Sequence, residues 1–317
     1  MNERLHRPTQ RRIRRAAPHL AATLLLLCGT VQAAPVGLWG IKSCDGDSQC
    51  PGAGDGSALP AQVFSVNSDG SGFVNHGQLT AAGVAIDGDG LAWSANTPGT
   101  LFGFRIAHGD SARPKDGTAS QLFTIDPGTS ATAATLVGAT HAGRDIRGAA
   151  FDAMDRLWAL DALANELLLI DPLTGAVLDN GALTAGGGAI DIATGSDIAF
   201  RRDGSAVIST GTDFYEVDLG AKTASLLFTA TGFYAGLVHE PGSDDLVSFE
   251  VNGSDDLFRF DTGGTRSFIS TPPFSYNAGR GDLAARVDFI TGVPEPASTA
   301  LLGAGLVGLG ALRRRRR

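Results

Sequence analysis

Cysteine and methionine are scarce in this chain, three and two among 317 residues, and aromatic side chains make up only 7%. No Cys-x-x-Cys spacing occurs, which excludes that redox motif. His-Glu-x-x-His, Gly-x-Ser-x-Gly and P-loop patterns are all missing, and with them the common hydrolase and nucleotide-binding signatures. Charged residues are 18% against 43% apolar, a balance that excludes a disordered polymer and supplies a core for one or two domains. No Gly-x-y period runs through the 43 glycines, so collagen is excluded as well. What is abundant is turn chemistry: glycine, 14 prolines and many Thr, Ser and Asp residues argue against a helical bundle.

Apolar runs long enough to span a bilayer are lacking too. Residues 1–33 carry six arginines between Arg4 and Arg15, then the twelve-residue run Leu20–Val31 and the small-x-small site Val31-Gln32-Ala33. That order reads as a secretory signal peptide, helical in its apolar part and cut after Ala33 by signal peptidase. A hydrocarbon core of about 30 Å needs roughly 20 apolar residues, so this run is no permanent anchor. The far end reads Val293-Pro294-Glu295-Pro296, sixteen uncharged residues Ala297–Leu312, and Arg313–Arg317. As a helix rising about 1.5 Å per residue, the uncharged run spans roughly 24 Å and is a marginal membrane segment. The five arginines leave the tail cytoplasmic and the body outside.

This tripartite end resembles the PEP-CTERM sorting signal, which Pro294, Glu295 and Pro296 match residue by residue. The resemblance covers only residues 293–317. It implies that an exosortase-type membrane protease cuts near the motif and passes the body from an inner-membrane intermediate to the cell surface or beyond. The hosts of such proteins are typically Gram-negative producers of exopolysaccharide, which implies an extracellular polysaccharide or an envelope protein as partner.

With both tags removed, 14 basic and 31 acidic residues remain, a net of −17 in place of −8. Such a surface repels nucleic acid and anionic lipid, and repels an acidic polysaccharide unless a cation bridges the two. Cys44 and Cys50 then stand as an even pair in an oxidising compartment, and they read as a small disulfide-closed loop. Asp45 and Asp47 leave a metal reading open there, although Asp-Gly-Asp is more often a plain turn.

The body repeats. Five hexads starting at Val63, Leu122, Leu167, Phe214 and Leu257 each place apolar residues second and fourth, the alternation of a strand. The fifth position is Asn67, Asp126, Asp171, Asp218 or Asp261, with Gly or Pro soon after, so these side chains read as turn-formers and not as catalytic acids. A second element recurs upstream at Gly83–Asp87, Gly148–Asp152, Asp197–Arg201 and Gly236–Glu240, followed by a turn and another apolar strand such as Leu91–Trp93 or Arg156–Leu160. Four short strands in roughly 40–50 residues is the size of one β-propeller blade. The first unit lacks its opening strand, and Asp282–Arg286 supplies a matching one at the far end.

The expected fold is therefore an all-β, five-bladed propeller over residues 34–290, closed by N- and C-terminal strands sharing one blade. Residues 1–33 form the signal peptide and residues 293–317 the sorting signal with its membrane helix. Two insertions, Lys42–Pro60 and roughly Asn96–Ser120, fall between second and third strands and mark one face as the binding face. The residues expected there are His76, His141, Arg144, Asp145, Tyr276, Asn277 and Arg280, with His108 nearby. Trp39, Trp93 and Trp158 occupy similar strand positions and read as core.

The order Gly-x-Ala-x-Asp, turn, Leu-Trp, turn, Leu-x-x-Ile-Asp-Pro resembles NHL-type and gluconolactonase-like propellers, a resemblance of architecture alone. Gluconolactonase-like propellers hold a divalent cation in the channel with Glu, Asn and Asp, and Glu166, Glu216, Glu240 and Glu250 match none of that site. The expected function is a non-catalytic binder of an envelope or matrix component with no cofactor. The alternative is a metal-dependent lactonase or related hydrolase acting in the channel with a divalent cation.

Overall fold

Each hexad forms a strand, because alternate apolar side chains enter two different cores when a sheet is packed on both faces. The computed structural model describes residues 37–43, 61–97, 99–108, 117–193, 195–240, 242–251, 255–274 and 280–286. Both tags, Cys44, Cys50, Tyr276 and Asn277 lie outside the described residues, and so do the expected signal and membrane helices.

The first sheet begins with β1 (Gly37–Ser43), β2 (Gln62–Asn67) and β3 (Val74–Gln78). A short hairpin, β4 (Thr80–Ala81) and β5 (Val84–Ala85), leads to the second sheet of β6 (Asp87–Trp93), β7 (Leu101–His108), β8 (Gly117–Asp126) and β9 (Ser130–Leu136), where β10 (His141–Ala142) joins β8. The third sheet holds β11 (Ile146–Phe151), β12 (Leu157–Asp161), β13 (Glu166–Ile170) and β14 (Val177–Ala182). A second short hairpin, β15 (Thr184–Ala185) and β16 (Gly188–Ala189), precedes the fourth sheet, β17 (Asp197–Phe200), β18 (Ala206–Ser209), β19 (Asp213–Asp218) and β20 (Thr223–Thr229). The fifth is β21 (Tyr234–His239), β22 (Leu246–Glu250), β23 (Asp256–Phe260) and β24 (Arg266–Ser270). Finally β25 (Arg280–Ala284) returns to pair antiparallel with β1, Gly40 opposite Leu283 and Ile41 opposite Asp282.

The described residues form an all-β propeller with no helix. Its inner strands β6, β11, β17, β21 and β25 touch one another in that order, and β25 touches β6. Between neighbouring sheets lie separate cores. Ile41 and Val63 meet Leu91 and Phe123 at one joint, and Leu38 and Phe64 meet Val247 and Phe249 at another. Leu38 and Ile41, an odd number of positions apart on β1, thus point into different joints, as the strand period requires. Full burial of each Leu or Phe contributes about 1.5–3 kcal/mol. The hexad aspartates act as turn-formers: Asp171 accepts from the Leu173 N–H at 2.9 Å and the Thr174 hydroxyl at 2.6 Å, and Asp126, Asp218 and Asp261 bond their own turns likewise.

Three details differ from the sequence reading. Gly83–Asp87 is not an inner strand: it contains β5 and the start of β6, and Leu91–Trp93 is the end of inner strand β6. Asp87-Gly88-Asp89-Gly90 has the composition of a turn, but it runs through the crowded axis, where a Cβ on Gly88 would stand 2.9 Å from the Leu79 side chain. The supposed insertion 96–120 is largely strand, since β7 and β8 pair from Leu101 and Ile125 out to His108 and Gly117. Trp39 and Trp158 do share a place on second strands, β1 and β12, whereas Trp93 lies on β6.

The two short hairpins reveal a repeat of another kind. Residues 79–87 read LTAAGVAID and residues 183–191 read LTAGGGAID. In each, the first short strand pairs parallel with the outermost strand of the next sheet, β4 with β9 and β15 with β20. Leu79 and Leu183 anchor them, fully buried. The hairpins thereby cover two sheet edges that would otherwise present unpaired backbone groups.

Candidate functional site

The inner strands share one register at the axis, with Gly90, Gly148, Asp197, Gly236 and Asp282 at a common level. A Cβ on Gly148 would stand 2.5 Å from the Asp197 Cα, and one on Gly236 3.1 Å from the Asp282 Cα. Gly148 and Gly236 thus make room for the strands that carry the two carboxyl groups. Each carboxyl accepts a hydrogen bond from a neighbouring inner strand, Asp282 from the Leu91 N–H and Asp197 from the Leu237 N–H. A further hydrogen bond joins the two carboxyls, so they share a proton. Burial pushes Asp197 up to about 7, with the charge of Asp89 adding to it. Burial and the Asp197 charge hold Asp282 well above the usual carboxylate range.

One residue earlier along β11 stands Arg147, 1% exposed. Its Nε lies 2.6 Å from Asp145 Oδ1, its Nη2 donates to Asp145 Oδ2 at 3.1 Å, and its Nη1 is 3.6 Å from Asp89 Oδ2. A bidentate guanidinium–carboxylate pair is the geometry in which a buried charge is tolerated. These five side chains close the axis with a polar plug.

Beyond the plug, toward the ends of the inner strands, the axis changes character. Two residues past the plug level stand Ala92, Ala150, Ala199, Val238 and Ala284, and these small side chains leave a cavity of about 30 Å³. Trp93, Phe151, Phe200 and His239 surround it. His239 is fully buried, its Nδ1 has no hydrogen-bond partner among the described residues, and its Nε2 is 3.7 Å from Asp244 Oδ1. Burial lowers the His239 pKa; Asp244 opposes the shift, and Arg201 and Arg202 reinforce it. The imidazole is therefore neutral at neutral pH.

Among the described residues, the expected binding residues lie in more than one place. His76 lies on outer strand β3, stacked on Trp39 at 4.7 Å and hydrogen-bonded to the Ser65 hydroxyl at 2.9 Å. His141, Arg144 and Asp145 do come together at the connection into β11, where each is engaged. His141 Nε2 is 2.6 Å from the Gly175 carbonyl oxygen. Arg144 donates to Asp161 and Glu166, both at 2.8 Å, and Asp145 holds Arg147. Arg280 opens β25 opposite Ser43, so its backbone lies at the mouth of the 44–60 connection. Sequence reasoning missed Arg147 as a buried group and missed the pocket around His239. Four alanines at one strand level were the available signal.

Fold and tail together define an all-β propeller carrying a sorting segment. Residues 292–317 match the PEP-CTERM protein-sorting motif. The motif implies export, exosortase processing and membrane-associated sorting toward the cell surface. No curated protein matches the chain. Among solved structures it is similar to virginiamycin B lyase from Staphylococcus aureus, at 13% identity and a TM-score of 0.38, over 68% of this chain and 64% of that one. The chain thus spans less than two thirds of the lyase. A protein of unknown function from Bacteroides thetaiotaomicron gives 11% identity and a TM-score of 0.47 over 80% and 72% of the two chains. Myxococcus xanthus glutaminyl cyclase gives 12% and 0.39 over 59% and 76%. Likeness at this level carries no argument about activity, and the propeller rests on the strand pairing described above.

Proposed function

We propose that the protein is exported by a signal peptide at residues 1–33, cut after Ala33, and that its body, residues 34–290, is a closed five-bladed propeller that binds a cell-envelope or extracellular-matrix component without catalysis. The sorting-motif match over residues 292–317 carries this reading. In it, Pro294, Glu295 and Pro296 direct an exosortase-type protease, and residues 297–312 form a helix that holds the membrane only until processing. The five sheets correspond to five blades, a reading supported by the cycle of inner strands and by the pairing of β25 with β1.

The binding face is the side from which the 44–60, 109–116 and 275–279 connections leave. Ser43 with Arg280, and His108 with Gly117, are strand ends on that side. Cys44 and Cys50 close a small loop there, and Tyr276, Asn277 and Arg280 supply contacts to a polysaccharide or protein. His141, Arg144 and Asp145 frame this face, being held by Gly175, by Asp161 with Glu166, and by Arg147. The alternative, a metal-dependent hydrolase in the channel, has less support, because Arg147 and the paired carboxyls occupy the channel with one another.

Replacing Pro294-Glu295-Pro296 with alanines is expected to leave a longer, membrane-held species on a gel of cell fractions. Unchanged processing would refute the sorting role. Titrating the full chain with Ca²⁺ or Zn²⁺ by calorimetry is expected to give no saturable heat; a stoichiometric heat with a raised melting temperature would favour the hydrolase.

A further inference from the structure

We propose that the axial pocket on the opposite side, beyond the plug, is a second binding site that takes a small organic carboxylate through His239, Trp93 and the neighbouring Arg201 and Arg202. The site lies apart from the connection face and does not depend on what that face binds.

Three observations carry it. His239 lines the pocket, is 0% exposed and leaves Nδ1 without a partner among the described residues, although a buried ring nitrogen ordinarily finds one. The indole Nε1 of Trp93, on the same wall set, is also buried and unpartnered among them, as are the Nε atoms of Arg201 and Arg202. Those two guanidiniums lie close enough to His239 to oppose its protonation. In a body of net charge −17, this is a local concentration of positive charge. Of the nearby acids, Asp244 is 64% exposed, Glu240 accepts from Arg259 at 2.5 Å, and Asp203, close to Arg201, accepts from the Ser205 N–H and hydroxyl.

The Trp93 indole N–H at the cavity and the two guanidiniums near His239 call for a ligand that brings acceptors and negative charge, and a carboxylate supplies both. The walls set its size. A cavity of about 30 Å³ holds little more than the volume needed for one or two waters. At that size the carboxylate head of acetate or pyruvate fits against the alanines, and a sugar ring does not.

The test is to titrate full-length protein, ¹⁵N-labelled at its three indoles, with acetate, pyruvate and the neutral isostere acetamide, following the Trp93 signal assigned by Trp93→Phe. The expected result is a saturable shift of the Trp93 signal with both carboxylates, little change at Trp158 and none with acetamide. Arg201→Gln, a change at a half-buried position, is expected to weaken the apparent affinity at least about tenfold. His239→Ala is expected to abolish saturation while His239→Gln, which restores a donor, recovers part of it. A linear, non-saturating response, equal binding of acetamide, or unaltered affinity in Arg201→Gln and both His239 variants would each overturn the proposal.

Discussion

Two halves of one axis, built by the same five inner strands, have opposite chemistry. At the plug level the strands contribute glycine or aspartate, with Arg147 one residue away. Two residues on they contribute alanine in four cases and valine in the fifth. The plug half is filled and internally paired, so a change there leaves a buried charge or a steric overlap with nowhere to go. The pocket half is under-filled, walled by small side chains, and holds His239 and Trp93 nitrogens without partners among the described residues. The difference teaches that side-chain size at a single strand position decides where a propeller axis is sealed and where it can take a ligand.

The sharpest way to break this comparison is Arg147→Met. It strands Asp145 as a buried carboxylate and is expected to cost about 3–5 kcal/mol in a urea unfolding series. A loss below about 1 kcal/mol would mean that the plug is hydrated. Gly148→Ala comes next. Its Cβ would overlap the Asp197 backbone and carboxyl, at 2.5 and 2.6 Å, and the expected loss is about 1–3 kcal/mol. Ala150→Val, two residues along the same strand, is expected to change stability by less than about 1 kcal/mol, because the pocket has room.

The carboxyl pair adds a pH signature. Asp197, raised to about 7, and Asp282, also raised, hold a proton in the folded state that an unfolded carboxyl releases near pH 4. Their contribution is complete below about pH 4 and is lost as pH rises toward 7. The turn carboxylates Asp126, Asp171 and Asp261 are lowered, chiefly by hydrogen bonds from their own turns, so their contribution is lost only as pH falls below the ordinary carboxylate range. Melting temperature is therefore expected to decline between pH 5 and pH 8, and Asp197→Asn is expected to flatten that decline. An equal slope in wild type and variant would remove the pair from the account.

Much of this fold was legible in the chain because its hexads are all third strands, β2, β8, β13, β19 and β23, each with apolar residues at its second and fourth positions and a turn at its end. The match between Asp282–Arg286 and Asp197–Arg201 correctly foretold that β25 would pair with β1. Local composition misled at Asp87-Gly88-Asp89-Gly90, where glycine serves close packing at the axis and not a turn. The LTA-x-G repeat at residues 79–87 and 183–191 is visible in the chain, but at 104 residues its spacing does not match the 43–47-residue period of the hexads. The candidate site was far less legible. Arg147 meets Asp89, and His239 lies near Arg201, only because separate sheets converge, and no spacing within one strand encodes that convergence.

The central claim, a ring whose axis is sealed by side chains from both ends of the chain, is tested most directly by removing β25. Thermal melts of a chain ending at residue 290 and of one ending at residue 279 should differ sharply. The longer is expected to melt in one cooperative transition, and the shorter, deprived of Asp282 and the partner of β1, to lose that transition. Indistinguishable melts would contradict the account.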